Sequence, residues 1–138
     1  TPLAMLLMDI DNFKAYNDEF GHQKGDHILQ IVAAEIEKEA LRAGDHVARY
    51  GGEEFCMILP ETTLRGGRTV GERIRARIEK LGVAPAPSAT YPVLTISVGV
   101  AQVPPDAAAT PEQLVLAADK ALYQAKHSGR NCVKSVQF

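Results

Sequence analysis

Arg49-Tyr50-Gly51-Gly52-Glu53-Glu54-Phe55 lies near the middle of the chain and is its most informative stretch. Two adjacent glycines suit a tight turn, because both positions can take positive φ without steric cost. We therefore predict a hairpin with strands 47–50 and 55–59, joined at Gly51 and Gly52. Glu53 and Glu54 follow this turn directly, so two carboxylates are expected at the tip of the hairpin.

A second acidic cluster lies upstream, at the end of an apolar run. Residues 3–8 are uninterrupted apolar residues, and the run stops at Asp9. This pattern predicts a strand that is buried on both faces and ends at a site. Asp11 or Asn12 is predicted to cap the short helix that follows.

Three further segments carry apolar residues at helical spacing. The first predicts an amphipathic helix over about residues 24–41, and the second predicts a helix through residues 70–81. The third begins at Thr110, which is followed by a proline and, three positions on, by a glutamine that completes a capping box.

Two further strands complete the prediction. Residues 93–100 alternate, with apolar side chains on one face and Thr95, Ser97 and Gly99 on the other, and residues 133–136 form a short last strand. The element order β-α-α-β-β-α-β-α-β predicts an α+β fold, an α/β sandwich of ferredoxin-like plan with a central mixed or antiparallel sheet. Strand 1 and the hairpin would lie side by side, so that Asp9 and Glu53 meet at one edge.

Composition limits the class of protein. The chain has 138 residues, of which 46% are hydrophobic, as expected for residues 1–138 forming one domain. The formal net charge of −2 gives no overall basic field for duplex DNA. Cys56 and Cys132 are isolated and are expected to be free thiols in a reducing compartment. No apolar run reaches the roughly 20 residues that span a bilayer, so no membrane contact by this segment is expected.

The motifs together resemble the diguanylate cyclase domain family, known as GGDEF domains. The resemblance runs from Leu6 to Asn131 in the family's order, and its segments are Asp9-Ile10-Asp11-Asn12-Phe13-Lys14, Asn17-Asp18-Glu19-Phe20-Gly21-His22, Gly25-Asp26, Gly51-Gly52-Glu53-Glu54-Phe55, Thr95-Ile96-Ser97-Val98-Gly99-Val100, residues 118–126 and Ser128-Gly129-Arg130-Asn131. It implies a palm-type nucleotidyl cyclase fold. The family's usual leading segment is absent, so we expect an N-terminally trimmed domain. We also expect a cytoplasmic location, although the full-length protein could be membrane-anchored.

The resemblance implies the condensation of two GTP molecules into cyclic dimeric GMP (c-di-GMP) with release of pyrophosphate. Two Mg²⁺ or Mn²⁺ ions would be bound by Asp9, Glu53 and the backbone carbonyl of Ile10, with Glu54 as a further ligand. Glu53 is also the implied catalytic carboxylate, and Lys14 is expected to offset phosphate charge. Because each domain supplies one GTP, catalysis would require a homodimer.

The same resemblance implies a substrate site around these groups. Asn17 and Asp26 would recognise the guanine edge, through an amide that donates and accepts and a carboxylate that accepts. His22 is a weaker candidate for the same pocket. The remaining implied substrate-binding residues are Gly51 and Gly52, which let the backbone approach the nucleotide, and Lys126 and Arg130, which bind its terminal phosphates. Taken alone, those two cations could equally complement a helix dipole.

A product-binding site is also implied. Arg42-Ala43-Gly44-Asp45 begins nine residues before Gly51, and this offset matches the family's inhibitory motif. Arg42 and Asp45 would hold c-di-GMP through planar guanidinium and carboxylate hydrogen bonds, with Arg73 as a secondary contact. A helix-terminal arginine followed by a turn aspartate is the alternative interpretation.

Three other functions stay open at this stage. The chain could be a catalytically silent receptor for GTP or c-di-GMP, although intact Asp9, Glu53, Glu54 and Lys126 argue against this. It could also be a nucleotidyl cyclase with another product. A purely structural partner-binding module is the third alternative.

Overall fold

The computed structural model describes residues 2–103 and 108–137. Nine elements follow one another in the predicted order: β1 Leu3–Ile10, α1 Phe13–Phe20, α2 His22–Glu37, β2 His46–Gly51, β3 Glu54–Pro60, α3 Leu64–Lys80, β4 Ile96–Val103, α4 Pro111–His127 and β5 Val133–Gln137. The strands form one sheet in the order β2-β3-β1-β4-β5. All neighbours are antiparallel except β4 and β5, which are parallel. The predicted α+β fold with a mixed sheet is confirmed.

The sheet separates two apolar cores. The larger core packs alternate residues of β1, among them Leu6, Met8 and Ile10, against helices α1, α2 and α3. The smaller core packs the intervening residues Met5 and Leu7 against α4. Because successive side chains of a strand point to opposite faces, this alternation decides which functional side chains can meet α4.

The hairpin has a different register from the one predicted. Gly51 still belongs to β2 and pairs with Glu54, so the turn residues are Gly52 and Glu53. Only Gly52 of the glycine pair has a positive φ, at 34°. A register shift between Arg49 and Gly51 accounts for the one-residue displacement.

Helix boundaries also differ from the prediction. Helix α2 begins at His22 and ends at Glu37, earlier than the predicted end at residue 41. After Glu37 the chain continues as a tighter turn, in which hydrogen bonds join residues three apart. The Glu39 amide donates to the Ile36 carbonyl and the Ala40 amide to the Glu37 carbonyl. This turn directs Glu39 inward, where it accepts a hydrogen bond from Arg77 at 2.7 Å. Helix α3 begins at Leu64, ahead of its apolar repeat, because the Thr63 side chain caps it.

The predicted N-cap position of α1 is confirmed at Asn12 but without the side-chain hydrogen bond, whereas the predicted capping box of α4 is confirmed in full. Asn12 occupies the N-cap position of α1 in a left-handed conformation and makes no side-chain cap hydrogen bond. The Asp11 carboxylate is buried elsewhere, against Thr95 and Ser97. Thr110 and Gln113 form the complete capping box of α4. Among residues 2–103 and 108–137, no helix is long and apolar enough to cross a bilayer.

Candidate active site

Sheet geometry brings the two acidic segments together on the α4 side. Asp9 pairs directly with Glu54 across β1 and β3, and it shares the strand face of Met5 and Leu7. A cavity of about 300 Å³ opens there. It is lined by Asp9, Glu54, Asp119, Leu122, Tyr123, Lys126, His127 and Arg130. Two carboxylates from the sheet thus face two cations from the end of α4.

Lys126 bridges the two aspartates that end β1. Its Nζ lies 3.0 Å from Oδ1 of Asp9 and 3.3 Å from Oδ1 of Asp11. Burial raises the pKa of the Asp9 carboxyl above its ordinary value, and the Lys126 ammonium offsets only part of this effect. Desolvation therefore outweighs the ion pair, and a further cation near Asp9 would favour its ionised form.

The hairpin tip lies against the end of β1. The Ile10 amide donates to the Glu53 carbonyl at 3.5 Å, and the negative charge of Glu53 contributes to the raised pKa of Asp9. Burial also raises the pKa of Glu54, and the charge of Asp9 raises it further. Arg49 supports the tip by donating from Nη2 to the Gly52 carbonyl at 2.6 Å. Asp9, Glu53 and Glu54 thus form one electrostatically coupled group.

These groups fit a hard divalent cation. Oδ1 of Asp9 is buried and has no aligned hydrogen-bond donor among residues 2–103 and 108–137. Its nearest charged neighbour is the Lys126 ammonium at 3.0 Å, and the carboxylates of Glu53 and Glu54 lie on the adjoining hairpin. Carboxylate oxygens are ligands that Mg²⁺ prefers, so a cation bound here would compete with Lys126 for Asp9. Within the described part of the chain, no three His, Cys, Asp or Glu side chains already form a closed metal cluster. A cation bound here would therefore need additional ligands, such as phosphate oxygens or water.

Arg130 is directed by a turn of unusual backbone conformation. Arg130 and Asn131 have φ values of 60° and 47°, in the left-handed region that non-glycine residues seldom adopt. The Asn131 amide donates to Oδ2 of Asp11 at 3.0 Å, which holds this turn against the sheet. Nε of Arg130 is buried and finds no acceptor among the residues that the structure describes. An anion in the cavity would supply that acceptor.

Asn17 lies against the first turn of α2, on the opposite side of β1 from α4. Its Oδ1 is buried and lacks a hydrogen-bond donor within the described ranges. A Cβ built on Gly25 would lie only 1.7 Å from this oxygen, so Asn17 adjoins the segment that carries Asp26. Asp26 and His22 are exposed on α2, and Lys14 is exposed on α1. The structure thus places Asn17 beside Gly25, the residue before Asp26.

Residues 1–132 match the family described as "Diguanylate cyclase, GGDEF domain". The chain belongs to this family. The GGDEF domain is 42% identical to the response regulator PleD of Caulobacter vibrioides over 132 residues, covering 96% of this chain and 29% of that protein. It is also 42% identical to the diguanylate cyclase DgcP of Pseudomonas aeruginosa over 130 residues, covering 94% of this chain and 18% of DgcP. The chain therefore spans less than a third of the length of these relatives.

Solved structures agree with this assignment. The GGDEF domain of DgcB from Caulobacter crescentus, determined in complex with c-di-GMP, superposes with a TM-score of 0.86 at 35% identity, covering 98% of this chain and 78% of that one. The active GGEEF domain of a diguanylate cyclase from Vibrio cholerae gives a TM-score of 0.82 at 32% identity, with 98% and 83% covered. The comparisons confirm three predictions made from the sequence: the family resemblance, the fold and the enzyme class of the family.

In this GGDEF domain the predicted product-site residues fall into two surface cavities. Arg42 and Asp45 line a small one with Gly44, Pro60 and Glu61. The Arg42 guanidinium donates to the Pro60 carbonyl at 2.9 Å and also contacts the Thr62 hydroxyl.

Arg73 lines a separate cavity of about 510 Å³ between α2 and α3, where it lies 4.0 Å from Glu39. The structure therefore pairs Arg42 with Asp45 but gives Arg73 a different carboxylate partner.

Sequence reasoning missed the buried network around Asp11. Its carboxylate accepts hydrogen bonds from Ser97 at 2.6 Å, from Thr95 at 2.8 Å and from the Asn131 amide, and it also neighbours Lys126. Polar residues at 95 and 97, on one face of an otherwise apolar strand, were the available signal.

Asp119, Tyr123 and His127, which line the cavity from α4, were also missed. The helical spacing of these residues with Lys126 could have placed them on the same side of α4.

Proposed function

We propose that this domain condenses two GTP molecules into c-di-GMP and pyrophosphate. The observation that carries the proposal is the cavity lined by Asp9 and Glu54 from the sheet and by Lys126 and Arg130, with Lys126 paired to Asp9. Glu53 adjoins this group at the hairpin tip, where its backbone carbonyl accepts a hydrogen bond from the Ile10 amide. This arrangement suits a metal-bound triphosphate, because the carboxylates can hold the metal ions while the ions and the two basic side chains offset the negative charge of the phosphates. The cytoplasm, which supplies GTP, is the proposed location.

Asp9, Glu53 and the Ile10 carbonyl would hold two Mg²⁺ or Mn²⁺ ions, with Glu54 as a further ligand. When bound, the ions neutralise the triphosphate and favour ionisation of the attacking hydroxyl. In the reaction, Glu53 accepts the proton of a 3′-hydroxyl. That oxygen then forms a bond to the α-phosphorus of the other GTP, and the bond from this phosphorus to pyrophosphate breaks.

Lys126 and Arg130 bind the terminal phosphates and the departing pyrophosphate. Support comes from the buried Nε of Arg130, which lacks an acceptor among the described residues, and from the position of Lys126 beside Asp9. Lys14, on the exposed side of α1, adds positive charge near the nucleotide. Gly51 and Gly52 are exposed, and a Cβ on either would meet nothing within 4 Å, which leaves space for the nucleotide at the hairpin.

Guanine would be read by Asn17 and Asp26, with His22 as a nearby contact. The buried Oδ1 of Asn17, unpaired within residues 2–103 and 108–137, can accept from a guanine N–H group. Leaving such an acceptor unsatisfied is costly, so a base that supplies the donor gains affinity. Adenine lacks the N1–H and N2–H₂ donors and would bind less well.

Two domains must face each other, since each 3′-hydroxyl attacks the nucleotide held by the other domain. The first test incubates the domain with GTP and Mg²⁺ over a range of protein concentrations and quantifies c-di-GMP by chromatography. In the dilute range, turnover per domain should rise with protein concentration, because the active species is a dimer. Glu53→Gln should lower turnover by about 100-fold or more, because it removes the proton acceptor, which is also a proposed metal ligand.

Glu37→Gln serves as the matched control, because Glu37 is an exposed carboxylate at the end of α2 and should leave turnover unchanged. GTP binding without turnover at any concentration would refute the proposal and indicate a receptor. Equal turnover of Glu53→Gln and the wild type would also refute it. Asp26→Ala tests base selection by comparing GTP with ATP.

We also propose that c-di-GMP binds at Arg42 and Asp45 as a feedback inhibitor, with Arg73 as a secondary contact. The Arg42 side chain is 54% exposed, so its guanidinium is accessible to a guanine edge. The Asp45 side chain is only 4% exposed, but its Oδ1 lacks a hydrogen-bond donor among the described residues and would gain one from guanine. Calorimetric titration with c-di-GMP should show at least about tenfold weaker binding to Arg42→Ala. Arg65→Ala, on the exposed surface of α3, is the control. Equal affinities of the wild type and Arg42→Ala would remove this site.

A further inference from the structure

Gly25 occupies a position where glycine is unfavourable. It is the fourth residue of α2 and is buried, and its φ is not positive. Glycine inside a helix costs about 1 kcal/mol relative to alanine. Backbone conformation does not require it here, so the reason must lie in what surrounds its α-carbon.

The surroundings of Gly25 are the side chain of Asn17. A Cβ at Gly25 would lie 1.7 Å from Oδ1 and 2.9 Å from Cγ of Asn17, well inside van der Waals contact. The same Cβ would lie 3.3 Å from Cζ of Phe13, a buried ring that is stacked parallel to Tyr16. The Asn17 amide is therefore packed between α1 and the bare backbone of α2.

This packing gives Asn17 a fixed position without satisfying its acceptor. The Gly21 amide donates to the backbone carbonyl of Asn17 at 2.8 Å, which anchors the main chain at the end of α1. Oδ1 of the side chain remains buried and unpaired within the described part of the chain. Packing against Gly25, rather than a hydrogen bond, is what holds the amide in place.

We propose that Gly25 is a positioning residue for guanine recognition, acting only through the amide of Asn17. The inference rests on the proposed function, in which Asn17 contacts the base. A methyl group at position 25 would force the amide out of its place, because the methyl carbon would lie 1.7 Å from Oδ1 of Asn17 and only 3.3 Å from the Phe13 ring, which leaves it little room to move away. Phosphate binding at Lys126 and Arg130 lies on the opposite face of the sheet and would not change.

A double-mutant cycle tests this coupling. Calorimetry would measure the affinities of the wild type, Gly25→Ala, Asn17→Ala and the double variant for GTP with Mg²⁺ and for inorganic tripolyphosphate with Mg²⁺. We expect Gly25→Ala to weaken GTP binding by about tenfold and leave tripolyphosphate binding unchanged. In the Asn17→Ala background, the same substitution should have no further effect, since its target is gone.

The control is Gly66→Ala, a glycine-to-alanine change near the start of α3 whose nearest neighbour is a side-chain methyl group of Thr62 at 3.1 Å. Thermal unfolding of every variant would identify loss of fold. Independent, additive effects of Gly25→Ala and Asn17→Ala on GTP affinity would overturn the proposal. So would unchanged GTP affinity in either single variant, or equal losses for GTP and tripolyphosphate.

This outcome is separable from that of the proposed catalytic function. If the wild-type domain binds GTP but makes no c-di-GMP, and Gly25→Ala has no further effect on GTP affinity in the Asn17→Ala background, catalysis is refuted and the role of Gly25 is retained. Turnover of GTP together with additive effects of the two substitutions would support catalysis and refute the role of Gly25.

Discussion

Gly99→Ala tests how closely α4 is seated on the sheet that carries the site. Gly99 is in the middle of β4, and a Cβ there would lie 2.2 Å from the Leu122 nitrogen and 2.5 Å from the Ala118 carbonyl oxygen. Both neighbours are backbone atoms of α4, so neither can rotate away. Restoring ordinary contact at 3.4 Å requires the helix to move by about 1 Å.

The expected cost of Gly99→Ala follows from this displacement. Overpacking of a well-filled core destabilises by about 1–3 kcal/mol, and a clash with backbone belongs at the upper end. We therefore expect the free energy of unfolding to fall by about 3 kcal/mol, or Tm by roughly 10 °C for a domain of this size. Because α4 also carries Lys126, affinity for GTP should fall as well.

Urea denaturation followed by circular dichroism would measure the effect of Gly99→Ala, with Gly66→Ala as the control. The control side chain would meet a rotatable methyl group rather than backbone, so its effect should stay within about 1 kcal/mol. A loss of less than about 1 kcal/mol for Gly99→Ala would contradict the close seating of α4.

Three further predictions concern the network, the acid response and the helix cap. Asp11→Asn should lower the free energy of unfolding by about 2–3 kcal/mol, as measured by urea denaturation. The reason is that an amide cannot accept all the hydrogen bonds of the carboxylate and leaves Lys126 less well paired. A loss below about 0.5 kcal/mol would show that the network contributes little to stability. Hydrogen bonds from Asn131 and Arg75 lower the pKa of Glu79 below its ordinary value of 4.5. The ionised Glu79 therefore stabilises the fold above pH 4.5, and this contribution to the free energy of unfolding is lost as the pH falls through the lowered pKa. Glu79→Gln should thus lower the free energy of unfolding by less than about 1 kcal/mol at neutral pH and match the wild type once the pH lies below the lowered pKa, as calorimetric scans at a series of pH values would show. A difference that persists in acid would contradict this assignment. Thr110→Ala, which removes the capping box of α4, should cost about 1 kcal/mol without changing GTP affinity, and an unchanged Tm would argue that the cap is redundant.

Element types and order were predictable because each rests on local pattern. The apolar run of β1, the four-residue repeat of α2 and the capping box of α4 all correspond to elements of the structure. Boundaries were less predictable because contacts distant in sequence set them. Glu39 ends α2 by turning inward to Arg77 of α3, a contact that no local pattern reveals.

The candidate site likewise has features that the sequence could predict and features that it could not. Asp9 and the hairpin carboxylates could be proposed from motif and strand ends, and β1–β3 pairing places Asp9 opposite Glu54. The one-residue shift of the hairpin was not predictable, because it arises from an irregularity in β2 pairing. The role of Asp11 was hidden for a related reason, since its partners Ser97 and Asn131 lie 86 and 120 residues away.

The sequence alone determined the family, the order of elements and the chemical types available for catalysis, because these depend on residue identity and short-range periodicity. Tertiary structure decided which of those groups share a face. Strand alternation placed Asp9 and Glu54 toward α4, and helix packing placed Asn17 against Gly25. Such proximity depends on the register of the sheet and on close packing between elements, which a linear sequence does not specify by itself.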